Sequence, residues 1–437
     1  MNPDDPFARR SRPLTKNKTA SETPERGPRI TQAWLHSAPL RKVFAAFDAE
    51  NTDVRVVGGA VRNSLIGRAV KEVDLATPAA PDATMQIGKR AGLGVYPTGM
   101  DHGTVTLVAD GVGFEVTTLR RDVETDGRHA VVAFTHSWLE DAQRRDFTIN
   151  AFYCDAAGTL YDPIGGLADL RRRRVRFIGD AEARIREDYL RILRFFRFSA
   201  EYGRGQLDAE GLAAAVALKQ GLTSLAAERV RSEILKLLAA PCAADVVRTM
   251  DACGILQLAL SQQADPDCHT RLAAIEAALG QPPDPIAGLA ALAAGDPSTA
   301  ASLATRLRLS NAEATALERA AIVNPDLDPA GPDAAARIAL YRMGTEAFRR
   351  AVRVAWARSG SSPADNDWRR RALLADRWSP PAMPFTGGDV VALGIAPGPA
   401  VGNVLRAFET WWTGNGFVDD PVLQRDELKK LAQKALA

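Results

Sequence analysis

The chain has 437 residues, of which 46% are hydrophobic and 25% charged, and its formal net charge is +2. This length allows roughly two to four domains with their own cores, and the composition is that of an ordinary soluble protein. The sequence contains no apolar run of about 18 residues, the length that spans a membrane. The small net charge does not by itself indicate a nucleic-acid partner.

The cysteines and the N-terminus suggest no special chemistry. Cys154, Cys242, Cys253 and Cys268 show no Cys-x-x-Cys spacing, so we expect free thiols in a cytoplasmic protein and no zinc site. Residues 1–29 are polar, with proline, serine, threonine and mixed charge. They lack the apolar core of a signal peptide, and we predict a disordered tail.

Residues 30–170 mix short β-rich runs with helical stretches and are predicted to form an α+β domain with a mixed or antiparallel sheet. The predicted strands, each bounded by Gly, Asp or Asn, are Val54–Val57, Thr104–Val108, Phe114–Thr118, Thr148–Cys154 and Thr159–Tyr161. Helices are predicted at Ala83–Ala91 and Ser137–Arg144.

The first predicted strand leads into the dipeptide Gly58-Gly59 and a helix that begins near Ala60. Glycine lets the backbone approach a bulky anion, and amides at a helix start can donate to phosphate oxygens. Arg62 follows in the first turn, where its guanidinium could reach the same phosphates. The segment is neither Gly-x-Gly-x-x-Gly nor a P-loop, which excludes Rossmann and Walker nucleotide sites.

A pair of carboxylates, Glu72 and Asp74, follows in the run Lys71–Ala76, which alternates like a strand. Residues i and i+2 of a strand share one face, so the two side chains are predicted to project together. They are either solvated carboxylates on an exposed strand or ligands of Mg²⁺, which prefers a few carboxylates with substrate phosphates and water. Glu115, in the predicted strand Phe114–Thr118, is a candidate third carboxylate. Two Mg²⁺ ions held in this way would activate an attacking hydroxyl and stabilise the leaving oxygen in phosphoryl transfer.

The β signal ends after Gly166, and the chain from Ala181 onward is rich in Ala, Leu and Arg with helical periodicity. We predict an all-helical second part made of several consecutive bundles. Ala168–Arg204 contains 11 arginines, no lysine and 6 acidic residues, a local charge of +5. Such a basic segment suits a polyanionic partner, and it equally suits a solvated helical surface.

Six motifs between residues 56 and 198 carry a specific pattern in a fixed order. They are Gly58–Arg62 with the spaced carboxylates, the strand pair His102–Val105 and Phe114–Arg120, Asp126–Arg128, Arg144–Ala151, Asp162–Leu170 and Glu187–Phe198. Together they resemble the motifs of class II nucleotidyltransferases, the family of bacterial-type CCA-adding enzymes and poly(A) polymerases.

The resemblance implies a role for each matching residue of the first domain, a nucleotidyltransferase head. Two Mg²⁺ ions would be held by Glu72 and Asp74, with Glu115 assisting as a third catalytic carboxylate. The nucleotide would be bound by five residues of the same head: Gly58, Gly59, Arg62, Arg145 and Asp146. The glycines and Arg62 would hold the triphosphate, and Asp146 would favour a ribose.

Glu187–Phe198 is predicted to be one helix in which Asp188 and Arg191, three residues apart, share a face. An acceptor beside a multiple donor can present a hydrogen-bonding edge to a base, although the same spacing also suits a salt bridge on a solvated helix. The resemblance implies the first interpretation, with selection of CTP and ATP over GTP and UTP. Arg194 and Arg197 would line that nucleotide pocket with positive charge.

The resemblance implies an enzyme that adds CCA, or part of it, to tRNA 3′ ends from CTP and ATP and releases pyrophosphate. It also implies a helical neck at 171–240, a body at 241–380 and a tRNA-binding tail at 381–437, with no membrane or DNA partner. The alternatives are a poly(A) polymerase on the same scaffold, an enzyme that adds only CC or only A, and a non-catalytic RNA-binding relative. Asn63 and Glu72 motivate the last alternative, since the family usually has Asp at both positions.

Overall fold

The computed structural model describes residues 28–125 and 130–436. The motif Asp126–Arg128 lies outside the described residues, and so does most of the predicted disordered tail. Within the described ranges, none of the helices combines the length and the apolarity needed to cross a membrane.

The chain divides into two compact units. Of the described residues, the first unit, called the head below, comprises those from 28 to 123 together with Val132–Leu167. The second, called the helical unit, comprises those from Ala168 to 436 together with the described residues between 124 and 131. The predicted fold class, a mixed-sheet head followed by helices, is confirmed. The finer division into neck, body and tail stays a prediction.

The head is built on a mixed β-sheet. The strands of the described chain are β1 (Arg55–Val57), β2 (Asp74–Thr77), β3 (Gly94–Gly99), β4 (Thr104–Ala109), β5 (Val112–Thr118), β6 (Arg120–Thr125), β7 (Ala130–Phe134), β8 (Tyr153–Cys154) and β9 (Leu160–Tyr161). Seven of these form one sheet in the order β3-β4-β5-β2-β1-β8-β9, and β6 pairs with β7 in a separate ribbon. Within the large sheet, neighbouring strands are antiparallel except β2 and β5, which run parallel.

Two helices cover one face of the large sheet. The helices of this part of the chain are α1 (Ala38–Asp48), α2 (Gly59–Leu65), α3 (Pro81–Arg90), α4 (Trp138–Gln143) and α5 (Gly166–Arg171). α1 and α3 pack against β4, whose Val105 and Leu107 are fully buried while Thr106 between them is partly exposed. Gly88 permits this close packing of α3, because a Cβ there would lie 2.7 Å from Leu107 Cδ2. We call this side the covered face and the opposite side the open face.

The helical unit consists of consecutive helices joined mostly by short connections. They are α6 (Ala181–Glu187), α7 (Leu190–Tyr202), α8 (Ala209–Ala217), α9 (Ala227–Leu238), α10 (Ala243–Ala252), α11 (Ile255–Leu260), α12 (Pro266–Ala278), α13 (Pro285–Ala293), α14 (Pro297–Leu307), α15 (Asn311–Ala321), α16 (Asp333–Met343), α17 (Thr345–Ser359), α18 (Asn366–Ala372), α19 (Leu374–Arg377), α20 (Gly387–Val391), α21 (Pro399–Gly414) and α22 (Pro421–Leu436). α7 packs against α9 and α10 and buries Phe195 and Phe196 completely. Near the C-terminus, Val390, Phe408 and Trp412 belong to a separate small core.

Two predicted strands are shorter than the sequence pattern indicates. The run Lys71–Ala76 becomes a strand only from Asp74 onward, so Glu72 lies in the segment before β2. The predicted strand Thr148–Cys154 begins instead as a 3-10 turn at Thr148–Asn150, and only its end forms β8. The turn forms because the Asn150 amide donates locally to the Phe147 carbonyl at 2.9 Å. Alternation of residue types does not reveal such a local bond.

Two further elements differ from the sequence-based predictions. The predicted single helix at 187–198 breaks at Asp188, whose backbone is extended with φ −157 and ψ 105. The break is stabilised because Asp188 Oδ1 accepts from the Leu190 amide at 3.1 Å at the start of α7. β3 was not predicted, since its glycines and Pro97 are poor strand formers. It is an edge strand of the sheet, where proline is tolerated.

Candidate active site

Asp74 and Glu115 lie side by side on the open face of the sheet. β2 and β5 run parallel with Leu75 opposite Val116, and both of these side chains are buried on the covered face. Asp74 and Glu115, one position earlier on each strand, therefore point to the opposite face, where both are exposed. Thr106 of β4 pairs with Glu115 and extends this polar row.

The other predicted carboxylate, Glu72, is exposed in the segment just before β2. The charge of Glu72 nevertheless interacts with Asp74. Desolvation by the surrounding protein atoms and the like charges of Glu115 and Glu72 raise the pKa of Asp74, although its side chain still reaches solvent, while the Arg145 guanidinium lowers it. The site thus gathers three negative side chains, Glu72, Asp74 and Glu115, and a bound cation would relieve their repulsion.

The carboxylates fit a magnesium site that substrate completes. Across residues 28–125 and 130–436, no group of three or more His, Cys, Asp or Glu side chains is arranged to hold a metal ion. Glu72, Asp74 and Glu115 are therefore not a preformed three-ligand cage. Mg²⁺ usually takes one or two carboxylates and fills its other positions with phosphate and water oxygens. Carboxylates that repel one another and remain accessible to solvent are suited to that mode of binding.

The Gly58-Gly59 turn connects β1 to α2 beside this row. Val57, the last residue of β1, pairs with Asp74, so the turn starts next to the carboxylate. Gly58 has φ +70 and ψ −117, a conformation that favours glycine. Its amide donates to the Phe152 carbonyl at 2.9 Å. This amide therefore holds the turn in place through the Phe152 carbonyl. Other hydrogen-bond donors would have to bind a phosphate at the turn.

Arg62 and Asp146 are joined through Asn150. Arg62 Nη1 donates to Asn150 Oδ1, and Asn150 Nδ2 donates to Asp146 Oδ1 at 2.9 Å. The Phe147 amide donates to the same Asp146 oxygen at 2.8 Å, and Asn63 Oδ1 accepts from Arg62 Nε at 3.3 Å. Arg62, Asp146 and Asn150 are all buried. The residues predicted to contact triphosphate and ribose thus belong to one hydrogen-bonded network.

Arg145 connects the glycine turn to the carboxylates. Its Nη2 donates to Asp141 Oδ2 at 3.0 Å and its Nε donates to Tyr153 Oη at 3.3 Å. A Cβ on Gly58 would lie 3.7 Å from Arg145 Nη1, and the charge of Arg145 lowers the pKa of Asp74. The structure therefore brings Arg145, Gly58 and Asp74 together, although they are distant in the sequence.

The residues predicted to select the base lie in the helical unit, where α6 ends and α7 begins. Asp188 Oδ2 accepts from Arg229 Nη2 at 2.7 Å. Arg191 forms an ion pair with Glu187 and donates from Nη1 to the Arg184 carbonyl at 2.9 Å. Separate partners thus hold Asp188 and Arg191 in position, and neither side chain is fully buried.

Arg197 forms a buried ion pair inside the helical unit. Its Nε donates to Glu233 Oε2 of α9 at 2.5 Å, and the relative exposures of Arg197 and Glu233 are 8% and 4%. Arg194 Nη1 lies 3.8 Å from the other oxygen of Glu233. The pair gives Arg197 a structural role between α7 and α9, while its place in the nucleotide pocket stays a prediction.

Sequence reasoning did not single out Asp141, Asn150 or Tyr153. Asp141 precedes Arg144 and Arg145 by three and four residues, a spacing that places side chains on one side of a helical turn. That spacing was an available signal. Tyr153 offered none, because a tyrosine in a predicted strand is usually a core residue.

Two family models match the chain in order. The model described as the Poly A polymerase head domain matches residues 54–176, and the model described as the probable RNA and SrmB-binding site of polymerase A matches residues 206–265. The first match contains the glycine turn, the carboxylates and Arg145. The second begins after the predicted base-selecting residues.

Known proteins are similar to this chain over about half or most of its length. CCA tRNA nucleotidyltransferase 1, mitochondrial, from Mus musculus is 32% identical over 428 residues, which cover 92% of this chain and 91% of that protein. The CCA-adding enzyme of Geobacillus thermodenitrificans is 41% identical over 201 residues, or 46% of this chain and 48% of that protein. The crystal structure of Bacillus stearothermophilus CCA-adding enzyme in complex with CTP matches with a TM-score of 0.65 and 27% identity, covering 91% of this chain and 99% of that chain.

Proposed function

We propose a CCA-adding function for this chain, which belongs to the family of CCA tRNA nucleotidyltransferases and poly(A) polymerases. The chain is a nucleotidyltransferase that adds CCA to tRNA 3′ ends from CTP and ATP. The observation that carries this conclusion is the 32% identity to a CCA tRNA nucleotidyltransferase over 92% of the chain. The grouping of carboxylates, glycine turn and Arg145 in the head supports it independently.

The reaction joins the tRNA 3′ hydroxyl to the α-phosphate of CTP or ATP. The hydroxyl oxygen loses its proton and bonds to the α-phosphorus. The bond from that phosphorus to the oxygen bridging the α- and β-phosphates breaks, and pyrophosphate leaves. Such a transfer needs little covalent chemistry from the protein, so positioning and electrostatic stabilisation carry most of the rate.

The side chains of the head are suited to these two tasks. Arg145 and Arg62 would bind the triphosphate, since both are guanidinium groups held by neighbouring hydrogen-bond acceptors. Asp146, oriented by Asn150, would accept a hydrogen bond from the ribose. Mg²⁺ ions, two by analogy with the family, would be held by Asp74 and Glu72 with Glu115 assisting, and would supply Lewis-acid stabilisation of phosphate oxygens.

The helical unit would read the base. We propose that Asp188 and Arg191 contact the base edge of CTP or ATP, and that Arg194 and Arg197 add positive charge to the same nucleotide pocket. Arg229 and Glu187 support this role by fixing the orientation of the first two side chains.

One assay separates this function from its rivals. The protein is incubated with tRNAs that end before CCA, after C or after CC, with CTP, ATP or both, and product length is read at single-nucleotide resolution. We expect extension that stops at CCA. A long A tail would indicate a poly(A) polymerase, and extension by only CC or only A would indicate a partial enzyme. No extension would indicate a non-catalytic RNA-binding relative.

Two substitutions of Glu72 test whether this residue binds the metal. Glu72→Asp keeps the carboxylate and is expected to retain incorporation within about threefold, because Mg²⁺ accepts either acid. Glu72→Gln removes the charge and is expected to lower kcat by roughly 10²-fold, the size of effect found when one electrostatic contact to a transition state is removed. Single-turnover incorporation of CTP measures both variants. Wild-type kcat in Glu72→Gln would show that Glu72 is not a ligand.

Gly58→Ala is expected to weaken the fold and nucleotide binding together. A side chain held at this backbone conformation costs about 1–3 kcal/mol, and the new Cβ would stand 3.7 Å from Arg145 Nη1 and 3.6 Å from the Asn150 carbonyl. Thermal unfolding and the KM for CTP measure the two effects. Gly67→Ala is the matched control, because Gly67 also has a positive φ of +69 but no atom within 4 Å of its Cβ position. A KM shift in both variants would contradict the local explanation.

The remaining partners follow from the same function. The proposed partners are the tRNA 3′ end, CTP and ATP, and no membrane or DNA partner is proposed. A cytoplasmic location stays a prediction, since the relative from Mus musculus is named as mitochondrial.

A further inference from the structure

We propose that Asp141 is a positioning residue for nucleotide binding: it holds the Arg145 guanidinium in the orientation that receives the triphosphate. The inference rests on the proposed function and deepens it. Asp141 itself contacts no substrate in this proposal, and it acts through Arg145.

The Oδ2 atom of Asp141 carries the contact to the active site. It accepts from Arg145 Nη2 at 3.0 Å and from Tyr153 Oη at 2.8 Å. Tyr153 Oη in turn accepts from Arg145 Nε at 3.3 Å. Two sides of the guanidinium are thus fixed by a closed ring of three hydrogen bonds, and Nη1 remains on the side of Gly58.

The Oδ1 atom of Asp141 anchors the carboxylate from the other side. It accepts from Arg144 Nε at 2.9 Å, from Arg144 Nη2 at 2.7 Å and from the Arg120 amide at 3.3 Å. Arg120 begins β6, so Asp141 also ties the end of α4 to the strand that follows β5. A carboxylate with five donors has little freedom to rotate.

Burial and charge make Asp141 suited to this role. Its side chain is only 1% exposed, whereas that of Arg145 is 20% exposed. Burial by itself would raise the pKa of Asp141, but Arg145 and Arg144 together with the Tyr153 hydroxyl lower it to about 2. The Asp141 carboxylate is therefore ionised at neutral pH. Arg145 is the more exposed member of the Asp141–Arg145 pair, so it is the residue that can contact a ligand.

Aromatic packing holds Tyr153, one member of the three hydrogen bonds, in position. The Trp138 ring meets the Tyr153 ring edge to face at a centroid distance of 5.1 Å. Arg55 stacks between Trp138 and Tyr161, with its guanidinium carbon 4.1 Å and 3.8 Å from the two ring centroids. Packed aromatic side chains thus hold Tyr153, whose hydroxyl accepts the hydrogen bond from Arg145 Nε.

Loss of Asp141 should therefore free Arg145 without removing it. A long arginine side chain that must be ordered on ligand binding pays rotamer entropy that a preordered one does not. Asparagine at position 141 has nearly the same shape, but its amide nitrogen would face a donor on whichever side it points. The expected defect is in nucleotide affinity, with the chemical step largely retained.

A double-mutant cycle tests the proposal in the full-length protein. Asp141→Asn is expected to raise the KM for CTP and ATP by roughly 10- to 30-fold, the scale of a lost charge-assisted hydrogen bond, with kcat changed by less than about threefold. In the Arg145→Ala background the same substitution is expected to raise KM by no more than about twofold, because its target is already gone. Asp141→Glu, which keeps the charge, should recover part of the loss.

Asp155→Asn is the matched control for a purely structural role. Asp155 also accepts from a tyrosine hydroxyl, that of Tyr161 at 3.1 Å, and from backbone amides of the same unit. This variant should lower Tm with no change in nucleotide KM. If Asp141→Asn behaves in the same way, or if its effect on KM is equally large with and without Arg145, the proposal is wrong.

The outcomes also separate this proposal from the proposed function. Wild-type protein that fails to extend any tRNA overturns the function itself. Wild-type extension with an unchanged KM in Arg145→Ala overturns the inference alone. If Asp141→Asn does not fold, Tyr153→Phe removes one corner of the hydrogen-bonded ring and keeps both charges. A rise of about threefold in nucleotide KM is then expected, and an unchanged KM would overturn the proposal.

Discussion

Asp74→Ala is expected to abolish nucleotide incorporation while leaving tRNA binding within about twofold of wild type. Asp74 lies at the start of β2, between Glu115 on the neighbouring strand and the glycine turn after β1. Since the proposed reaction depends on electrostatic stabilisation, removal of the central carboxylate should lower the rate by roughly 10³-fold or more. Single-turnover extension of a tRNA that lacks CCA measures the rate, and filter binding measures tRNA affinity.

Asp82→Ala is the matched control for this substitution. Asp82 is an exposed aspartate in the first turn of α3, a helix that packs on the covered face of the sheet. Its loss removes the same charge from the same unit and should leave incorporation unchanged. Wild-type turnover in Asp74→Ala, or equal losses in both variants, would contradict the assignment of the active site to the open face.

Arg197→Ala is expected to lower the stability of the helical unit by about 3 kcal/mol, the typical effect of removing one partner from a buried ion pair. The carboxylate of Glu233 is only 4% exposed beside Arg197, and the substitution would leave it with Arg194, whose Nη1 lies 3.8 Å away, as a basic neighbour. Thermal unfolding monitored by circular dichroism measures the change.

Arg186→Ala serves as the control for charge alone. Arg186 pairs with Glu182 at 2.7 Å, but its side chain is 52% exposed, and exposed pairs of this kind contribute about 0.5 kcal/mol or less. We expect Arg186→Ala to leave Tm almost unchanged. An unchanged Tm in Arg197→Ala, with loss of the preference for CTP and ATP, would instead support Arg197 as a residue of the nucleotide pocket.

Local patterns predicted most of the architecture. The alternation in Thr104–Val108 predicted β4, because every second residue of a strand faces the same side. The helical periodicity after Ala181 predicted the helical unit for the analogous reason. Two failures, at Asp188 and at the turn before β8, occurred where a single hydrogen bond outweighed the pattern. β3 was missed because its glycines and Pro97 are poor strand formers.

The site was predicted less completely than the fold. The spacing of Glu72 and Asp74 was visible in the sequence, but only Asp74 belongs to β2. That Glu115 stands next to Asp74 follows from the parallel register of β2 and β5. The register depends on how whole strands pack, and a shift of one residue would move every side chain of a strand to the opposite face of the sheet. No local pattern in either strand contains this information.

By itself, the sequence determined the fold class, the order of the motifs and the residue types available for metal and triphosphate binding, because these depend on residue identities at short, fixed spacings. Only the tertiary structure decided that Asp141 holds Arg145, that Asn150 joins Arg62 to Asp146, and that Glu233 neutralises Arg197. The pairs Arg62–Asn150 and Arg197–Glu233 connect positions far apart in the chain, and the Asp141–Arg145 pair depends on the fold around Tyr153. The two distant pairs form through strand register and helix packing, which no spacing in the sequence contains, whereas the four-residue spacing of Asp141 and Arg145 allows a contact whose geometry the fold then fixes.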